Sequence, residues 1–328
     1  MRILAYIVGA LSISGPAFVH SAEPRTAVVV VVGASGEEEF GKQFRAWAGR
    51  WEAAAQTAKA DYFAIGLQET VQADRELLES RLATLAKDQG NLDSLWLVLI
   101  GHGTFDGKTA RFGLRGPDIK PAELATWLKP IAKPVAVIDC TSSSGPFVNE
   151  LSALGRAVVT ASRSGFEFNF ARFGDYFSSA IADPKADLDK DDQTSLLEAF
   201  LAAAAGVKEF YLSDGRLVTE HALVDDNGDQ LGTPADWFQG LRATRSAKEG
   251  AALDGILAGQ MVLVKSAREV RLSATARARR DELERELAEF RLRKAKMPES
   301  EYLAKLEPIL VELAKLYQNA DAKLDTNP

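Results

Sequence analysis

Runs of consecutive apolar residues, rich in Val, Ile and Leu, punctuate the first half of the chain, and stretches of helical periodicity separate them. The runs lie at residues 27–33, 62–65, 94–100, 134–138 and 156–162. Uninterrupted apolar strands are typical of a parallel sheet that is covered on both faces, and right-handed crossovers place the intervening helices there. The pattern therefore predicts an α/β fold, with a parallel sheet between two layers of helices.

The first helix is expected just after residue 37, because aromatic residues recur there at helical spacing. This stripe (Phe40, Phe44, Trp47, Trp51, Ala54) indicates packing against the sheet. Further helices are expected at residues 74–87, 121–128, 147–154 and 173–182, and from residue 196. The turn at residues 33–36 lacks the three spaced glycines of a dinucleotide fingerprint, which argues against such a cofactor.

Two of the apolar runs end at residues that carry chemistry. The run at residues 94–100 is followed by Gly101-His102-Gly103, and the run at residues 134–138 by Asp139-Cys140 and a turn of Thr, Ser and Gly. Open α/β sheets bind their ligands at the carboxyl ends of strands. If the two strands are parallel neighbours, His102 and Cys140 share one rim, and a thiol with an imidazole is the minimum set for cysteine nucleophilic catalysis.

The N-terminus has the pattern of a secretory signal peptide. Arg2 precedes an apolar run at residues 3–13, and small residues at Ser21-Ala22 predict cleavage before Glu23. The run is short for a membrane span, so we expect an exported protein, periplasmic or extracellular, with no membrane contact after residues 1–22 are removed. Cys140 is the only cysteine, so an internal disulfide is excluded and the thiol is either a small buried group or a reactive one.

After residue 240 the composition shifts to Arg, Glu, Lys, Ala and Leu. Two apolar seams at helical spacing, Leu283 to Met297 and Leu303 to Tyr317, are separated by Pro298. The sequence therefore predicts a body at residues 25–240 and a C-terminal helical hairpin at 245–328, whose second helix Pro308 should kink or restart. The hairpin either packs on its own body or serves as an arm for a homo-oligomer or another partner.

The pair of strand ends, one giving His-Gly and a later one giving Asp-Cys, resembles the caspase-like cysteine peptidases. That group includes legumains, gingipains and separases, and the legumain family is the most similar. The resemblance continues at residues 158–164 with Glu167, and at residues 173–177, so that it spans roughly residues 27–229. An exported bacterial member of the group would fit both this pattern and the predicted signal peptide.

The resemblance implies a caspase-like sheet and an endopeptidase with a Cys-His dyad. Cys140 would be the nucleophile and His102 the proton-transfer group, with the backbone N–H groups of Gly103 and Cys140 as the oxyanion hole. Asp139 would line a pocket that favours Lys or Arg side chains, or is simply solvated, and Ser162 and Glu167 are the other candidates for the pocket wall. The alternative is a non-catalytic, calcium-binding scaffold on the same fold that acts through its helical hairpin.

Two acidic stretches match the calcium-binding loop of EF-hands. Asp187, Asp189, Asp191, Ser195 and Glu198 occupy positions one, three, five, nine and twelve, Gln193 supplies the carbonyl at seven, and Asp192 stands where the motif has glycine. The second stretch places Asp225, Asn227, Asp229, Thr233 and Asp236 at the same positions, but an ordinary acidic turn explains it equally well. Calcium is expected at the first loop and remains open at the second.

The net charge of −7 argues against nucleic acid as a partner. The expected partner is a peptide or protein substrate.

Overall fold

The structure, a computed structural model, describes residues 24–325, with side chains to residue 318. The predicted signal peptide at residues 1–22 lies outside the described residues. Between residues 24 and 325, no helix combines the length and the apolar character needed to cross a bilayer.

A seven-stranded sheet organises the body. The strands of the described residues are β1 (Arg25–Val32), β2 (Asp61–Ile65), β3 (Leu92–Ile100), β4 (Gly103–Phe105), β5 (Ala110–Phe112), β6 (Val135–Asp139), β7 (Arg156–Thr160), β8 (Leu223–Asp225), β9 (Thr233–Pro234), β10 (Phe238–Gln239) and β11 (Arg242–Ala243). The central sheet has the order β2-β1-β3-β6-β7-β8-β9, and its first five members are parallel. The uniformly apolar strands are buried because helices cover both faces.

The helices are α1 (Glu38–Thr57), α2 (Asp74–Lys87), α3 (Pro121–Leu128), α4 (Pro146–Leu151), α5 (Phe173–Ala180), α6 (Leu196–Ser213), α7 (Ile256–Gln260), α8 (Ala267–Arg271), α9 (Ala274–Arg291) and α10 (Glu299–Asp325). Helices α1, α5 and α6 pack on one face of the sheet, and α2, α3 and α4 pack on the other. The aromatic stripe of α1 lies in the first core as expected, because Phe44, Trp47 and Trp51 are all buried. The predicted α/β class is confirmed.

The five strands predicted from the apolar runs are parallel, as expected, and the sheet also contains two short strands that the sequence did not predict. Strands β8 and β9 extend the edge beyond β7 in the antiparallel direction. They are only three and two residues long, too short for an apolar run to mark them. The stretch at residues 104–118, expected to be a loop, also contains the antiparallel hairpin of β4 and β5.

The C-terminal helical hairpin is confirmed. Helices α9 and α10 pack through a small apolar core of Leu283, Leu287, Ile309 and Leu313, and Arg279 on α9 forms an ion pair of 2.7 Å with Glu312 on α10. The expected kink or restart at Pro308 does not divide α10, which is one continuous helix. The hairpin docks on the body, since the Gln260 amide at the end of α7 donates to the Asp281 carbonyl oxygen of α9 at 2.9 Å.

The boundary near residue 245 does not separate two cores. Ala258, Met261 and Leu263, which the sequence assigns to the appendage, are buried in the core beneath α1, α5 and α6. The Leu196 N–H also donates to the Met261 carbonyl oxygen at 2.8 Å. The body therefore includes the segment around α7.

Candidate functional site

His102 and Cys140 follow neighbouring parallel strands, as the sequence predicts. Strand β3 pairs with β6 in the register Leu99 to Asp139, so the two strand ends lie side by side. Both side chains also lie on the same face of the sheet. Cys140 belongs to the core beneath α1, and the ring of Phe44 from that core is 5.2 Å from the ring of His102, centroid to centroid.

The His102 ring sits among aromatic side chains. Its centroid is 4.9 Å from that of Phe40, in an edge-to-face arrangement, and 6.0 Å from that of Phe170. Its Nε2 atom is 3.0 Å from the carbonyl oxygen of Ser35. Because a carbonyl oxygen only accepts, Nε2 is the donor in this contact, and the contact leaves Nδ1 available for a second partner.

The Cys140 thiol is closed off from solvent. The residue is 1% exposed, and a Cβ atom placed on Gly174 of α5 would lie 2.8 Å from the Cys140 Cβ and 2.7 Å from the ring of Trp47. Burial, and secondarily the charge of Asp139, raise the pKa of the thiol well above its usual value. The raised pKa keeps the thiol protonated in this state. Among the described residues no hydrogen bond joins Cys140 to His102, so the imidazole does not accept the thiol proton.

The backbone donors assigned to the oxyanion hole differ in their surroundings. The Cys140 N–H already donates to the Leu99 carbonyl oxygen at 2.9 Å, as part of the sheet. Gly103 lies in β4 and approaches the turn after β6 so closely that an added Cβ would stand 1.9 Å from the Ser142 carbonyl oxygen. A glycine is required there by this approach, and the Ser142 hydroxyl donates to the Gly103 carbonyl oxygen at 3.2 Å.

Asp139 is fully buried, so the expectation of a solvated side chain is wrong. Its Oδ1 atom accepts hydrogen bonds from the Thr141 N–H at 3.0 Å and from the Thr141 hydroxyl at 2.7 Å, whereas Oδ2 has no hydrogen-bond partner among the described residues. Burial raises the pKa of Asp139 to about 7, against the lowering effect of the two Thr141 bonds. The carboxyl faces the interior, opposite in direction to the side chain of Cys140, the residue that follows the strand.

Ser162 joins the turn after β6 to the segment after β7. Its hydroxyl accepts a hydrogen bond from the Gly145 N–H at 3.1 Å and lies 3.2 Å from the Ser144 hydroxyl. The Ser143 N–H donates to the Glu167 carbonyl oxygen at 2.9 Å. These contacts hold the segment of Ser162 and Glu167, the other candidates for the pocket wall, against the turn after β6, and Ser162 is 1% exposed at the junction.

The Glu167 carboxylate is engaged by a histidine that the sequence reasoning did not single out. Its Oε1 is 2.6 Å from Nδ1 of His221, and its Oε2 accepts from the Arg163 N–H at 3.1 Å. His221 lies just before β8, and β8 is the short strand that the apolar pattern misses. The only available signal was that His221 is one of three histidines in the chain.

Three phenylalanines form an exposed aromatic patch at this rim: Phe105, Phe166 and Phe168. The rings of Phe105 and Phe166 are 5.1 Å apart, edge to face, and Phe166 and Phe168 are 67% and 59% exposed. Phe105 follows Gly103 within β4, so the patch adjoins the ends of β3 and β6. Exposed aromatic clusters of this kind are common at binding surfaces.

A cavity of about 260 Å³ opens beside the end of β7, and Glu220 lines it together with Phe173, Val207 and His221. The Oε2 atom of Glu220 accepts from the N–H groups of Arg172 at 2.8 Å and Phe173 at 3.1 Å, whereas its buried Oε1 has no hydrogen-bond partner among the described residues. Burial raises the pKa of Glu220 to about 7. Sequence reasoning missed this residue because a lone Glu between loops carries no pattern.

The first acidic loop brings its leading acids together. Carboxyl oxygens of Asp187, Asp189 and Asp191 lie within 4.8 Å of one another, and Asp192 at the sixth position has φ 68°, the left-handed backbone that the motif requires. Burial, then the charge of Asp191, raise the pKa of Asp189 to about 6.

The later positions of the first loop are used within the protein. Glu198 accepts from the Leu188 N–H through Oε1 at 2.7 Å and from the Ser195 N–H through Oε2 at 2.7 Å. Ser195 and Glu198 thus form the capping box that begins α6. The Gln193 side chain joins Asp191 to the Ser266 N–H. Calcium at this loop stays a prediction.

The second acidic loop folds back on the end of β8. Asp225 Oδ1 accepts from the Gly228 N–H at 3.2 Å, and Asn227 Oδ1 accepts from the Asp229 N–H at 2.8 Å. The later positions lie elsewhere: the Thr233 hydroxyl donates to Asp254 Oδ2 at 2.5 Å, and Asp236 borders the Glu220 cavity.

No family model and no curated protein matches the chain. Among solved structures, it is similar to caspase-1 from Spodoptera frugiperda, with 10% identity and a TM-score of 0.43, over 62% of this chain and 87% of that chain. It is also similar to the Drosophila initiator caspase Dronc, with 14% identity and a TM-score of 0.41, over 70% and 95% respectively.

Proposed function

We propose that this protein is a caspase-like, legumain-like cysteine endopeptidase that binds a peptide at the carboxyl edge of its sheet and cleaves it with Cys140 and His102. The observation that carries the proposal is the position of these two residues on one face, directly after adjacent parallel strands. A nucleophile and a proton-transfer group at neighbouring strand ends can meet one substrate carbonyl.

The proposed chemistry uses the free ring nitrogen of His102. The Cys140 thiol passes its proton to Nδ1 of His102, and the thiolate attacks the peptide carbonyl carbon. Protonation of the leaving amine by His102 then breaks the C–N bond and leaves a thioester, which water hydrolyses to restore the thiol. The N–H of Gly103 is the proposed donor to the oxyanion, since it lies beside the turn that holds Cys140.

Activity requires the site to open. We define residues 170–174 as the cover segment, because Phe170 lies against His102 and Gly174 lies against Cys140. In the closed state the thiol is protonated and shielded, so the resting protein should turn over slowly. The aromatic patch of Phe105, Phe166 and Phe168 supports peptide binding beside this cover.

A peptide-library digest with the purified protein tests the proposal. Cys140→Ala and His102→Ala should each abolish cleavage, while Thr57→Ala, an exposed change in α1, should leave it unaltered. Iodoacetamide should inactivate the wild type while adding one adduct per chain, because the chain has a single thiol. Cleavage by Cys140→Ala at the wild-type rate would refute the assignment.

The burial of the thiol favours a second candidate, a non-catalytic scaffold on the same fold that recognises a partner. Its helical hairpin carries exposed apolar residues on α10, including Leu303, Leu310 and Val311. This candidate predicts that the wild type cleaves no peptide in the library, and that peptide binding is equal in wild type and Cys140→Ala. Cleavage that depends on Cys140 would exclude it.

A further inference from the structure

The second acidic loop contains two buried carboxylate oxygens that have no hydrogen-bond partner among the described residues. They are Oδ2 of Asp225 and Oδ2 of Asp229. Asp225 is 0% exposed, and Asp229 follows it in the same tight turn, where each acid accepts a backbone N–H through its other oxygen. Neither acid forms an ion pair within the described part of the chain. A buried carboxylate without a partner is costly, so this pair of oxygens requires an explanation.

The loop backbone holds the other oxygen of each acid. Asp225 and Asp229 each use Oδ1 for a backbone N–H, that of Gly228 at 3.2 Å and that of Leu231 at 2.9 Å. Positive φ angles at Gly228, 80°, and at Gln230, 71°, turn the chain tightly around them. Each acid thus uses one oxygen for the turn, and its second oxygen is buried without a partner among the described residues.

The first acidic loop has the same backbone signature, but the carboxylate of its first acid is fully engaged. Its fourth and sixth residues, Lys190 and Asp192, also have positive φ angles, 63° and 68°. Yet both oxygens of Asp187, its first residue, accept from backbone N–H groups. The two loops share one turn geometry, but within the described residues only the second leaves a buried carboxylate oxygen of its first acid unpartnered.

We propose that a calcium ion binds at the second loop, held by Asp225 Oδ2 and Asp229 Oδ2 with the Asn227 side-chain oxygen. These residues occupy positions one, three and five of a calcium loop, and all of them offer oxygen, the donor that hard cations require. The set contains no nitrogen or sulfur ligand of the kind that zinc favours. Because Thr233 and Asp236 do not complete the loop, water and backbone carbonyls fill the remaining positions, and the affinity falls in the weak range of ~10⁻⁴ to 10⁻³ M.

The ion would fasten the edge of the sheet to its surroundings. The Gln230 N–H donates to the Ser152 hydroxyl at 3.0 Å, and the Asn149 amide donates to the Gln230 carbonyl oxygen at 2.7 Å, so the loop is attached to the end of α4. On its other side, Asp226 accepts from the Gly255 N–H at 2.8 Å and the Ala258 N–H at 2.7 Å, which joins the loop to α7. The proposed ligands therefore stand where β8, α4 and α7 meet.

Thermal unfolding of the purified protein, in 10 mM calcium against EDTA, tests the site. The melting temperature of the wild type should rise by roughly 5 °C, as expected for a ligand well above its dissociation constant. Asp229→Asn keeps the side-chain shape but removes the charge, and it should lose most of the rise. Asp214→Asn, which neutralises an exposed acid after α6, should keep it.

Repeating the measurement in an Asp189→Asn background distinguishes the contributions of the two acidic loops to the rise in melting temperature. Adding Asp229→Asn to that background should abolish whatever rise remains. In EDTA, Asp229→Asn should melt at or above the wild-type temperature, because a repulsive charge has been removed, and this shows that it is folded. A calcium rise in Asp229→Asn as large as in wild type, no rise in wild type, or an equal rise with magnesium would overturn the proposal.

Discussion

Glu220 should make the protein less stable as the pH rises from about 4.5 to about 7. Its side chain is almost wholly buried, and burial raises its pKa from 4.5 to about 7. Within that window the native state keeps a proton that the unfolded chain has released, so unfolding becomes easier as the pH rises. A shift of this size corresponds to about 3 kcal/mol, at about 1.4 kcal/mol per unit. Below the window the stabilisation by the protonated Glu220 is fully present, and above the window Glu220 adds no further pH dependence to the free energy of unfolding.

Urea unfolding of wild type and Glu220→Gln at pH 5 and pH 8 measures this contribution. Glutamine cannot ionise, so the loss of stability between the two pH values should be about 2.5 kcal/mol smaller in the variant, since pH 5 already lies inside the window. Burial also raises the pKa of Asp139 to about 7 and that of Asp254 to about 8. These two groups make the same contribution to the pH dependence of stability in wild type and in the variant. The difference between the two proteins therefore isolates Glu220.

The matched control is Glu209→Gln, an exposed change on α6, which should leave the pH dependence of wild type intact. If Glu220→Gln showed the wild-type slope, the buried carboxyl would titrate as it does in water and the reasoning would fail. Glu220 also contacts the candidate site, since it accepts hydrogen bonds from the N–H groups of Arg172 and Phe173 in the cover segment. Its ionisation acts on the residues that shield Cys140.

Two further substitutions test the packing by urea unfolding. Gly103→Ala should lower the free energy of unfolding by ~1–3 kcal/mol, because its Cβ would meet the Ser142 carbonyl oxygen. The control, Gly49→Ala on the open side of α1, should raise it by up to about 1 kcal/mol. Equal effects of the two substitutions would contradict this account. Leu283→Ala should cost ~2–5 kcal/mol by leaving a cavity in the hairpin core, while Leu303→Ala, at an exposed position, should cost little. If the hairpin unfolded independently of the body, Leu283→Ala would instead give a separate unfolding transition at lower urea concentration.

The positions of His102 and Cys140 could be predicted because they depend on local signals. Each follows an apolar run, and parallel strands carry their carboxyl ends to the same edge. The short strand β8 could not be predicted, because three residues flanked by a polar loop have no periodicity to detect. Glu220 and His221, which precede it, were missed for the same reason.

The burial of the site residues depends on packing between distant parts of the chain. Alternation along β6 predicts that Asp139 and Cys140 face opposite sides, but it does not predict what covers either one. Cys140 is covered by Trp47 and by Gly174, which lie far from it in the sequence, and a glycine at position 174 is what permits so close an approach. The sequence can therefore place a cysteine at the correct strand end without predicting whether its thiol is accessible.

The two acidic loops show a similar limit. Counting ligand types favours the first loop, because Glu198 at position twelve is a better ligand than Asp236. The same Glu198, however, begins α6 by accepting hydrogen bonds from Ser195, and such a capping role is invisible to a metal motif. In the second loop the acids lie between a sheet edge and two helices, which removes water without supplying enough donors. A cation site is marked by oxygens that the fold leaves without partners, and on that criterion the second loop is the stronger candidate.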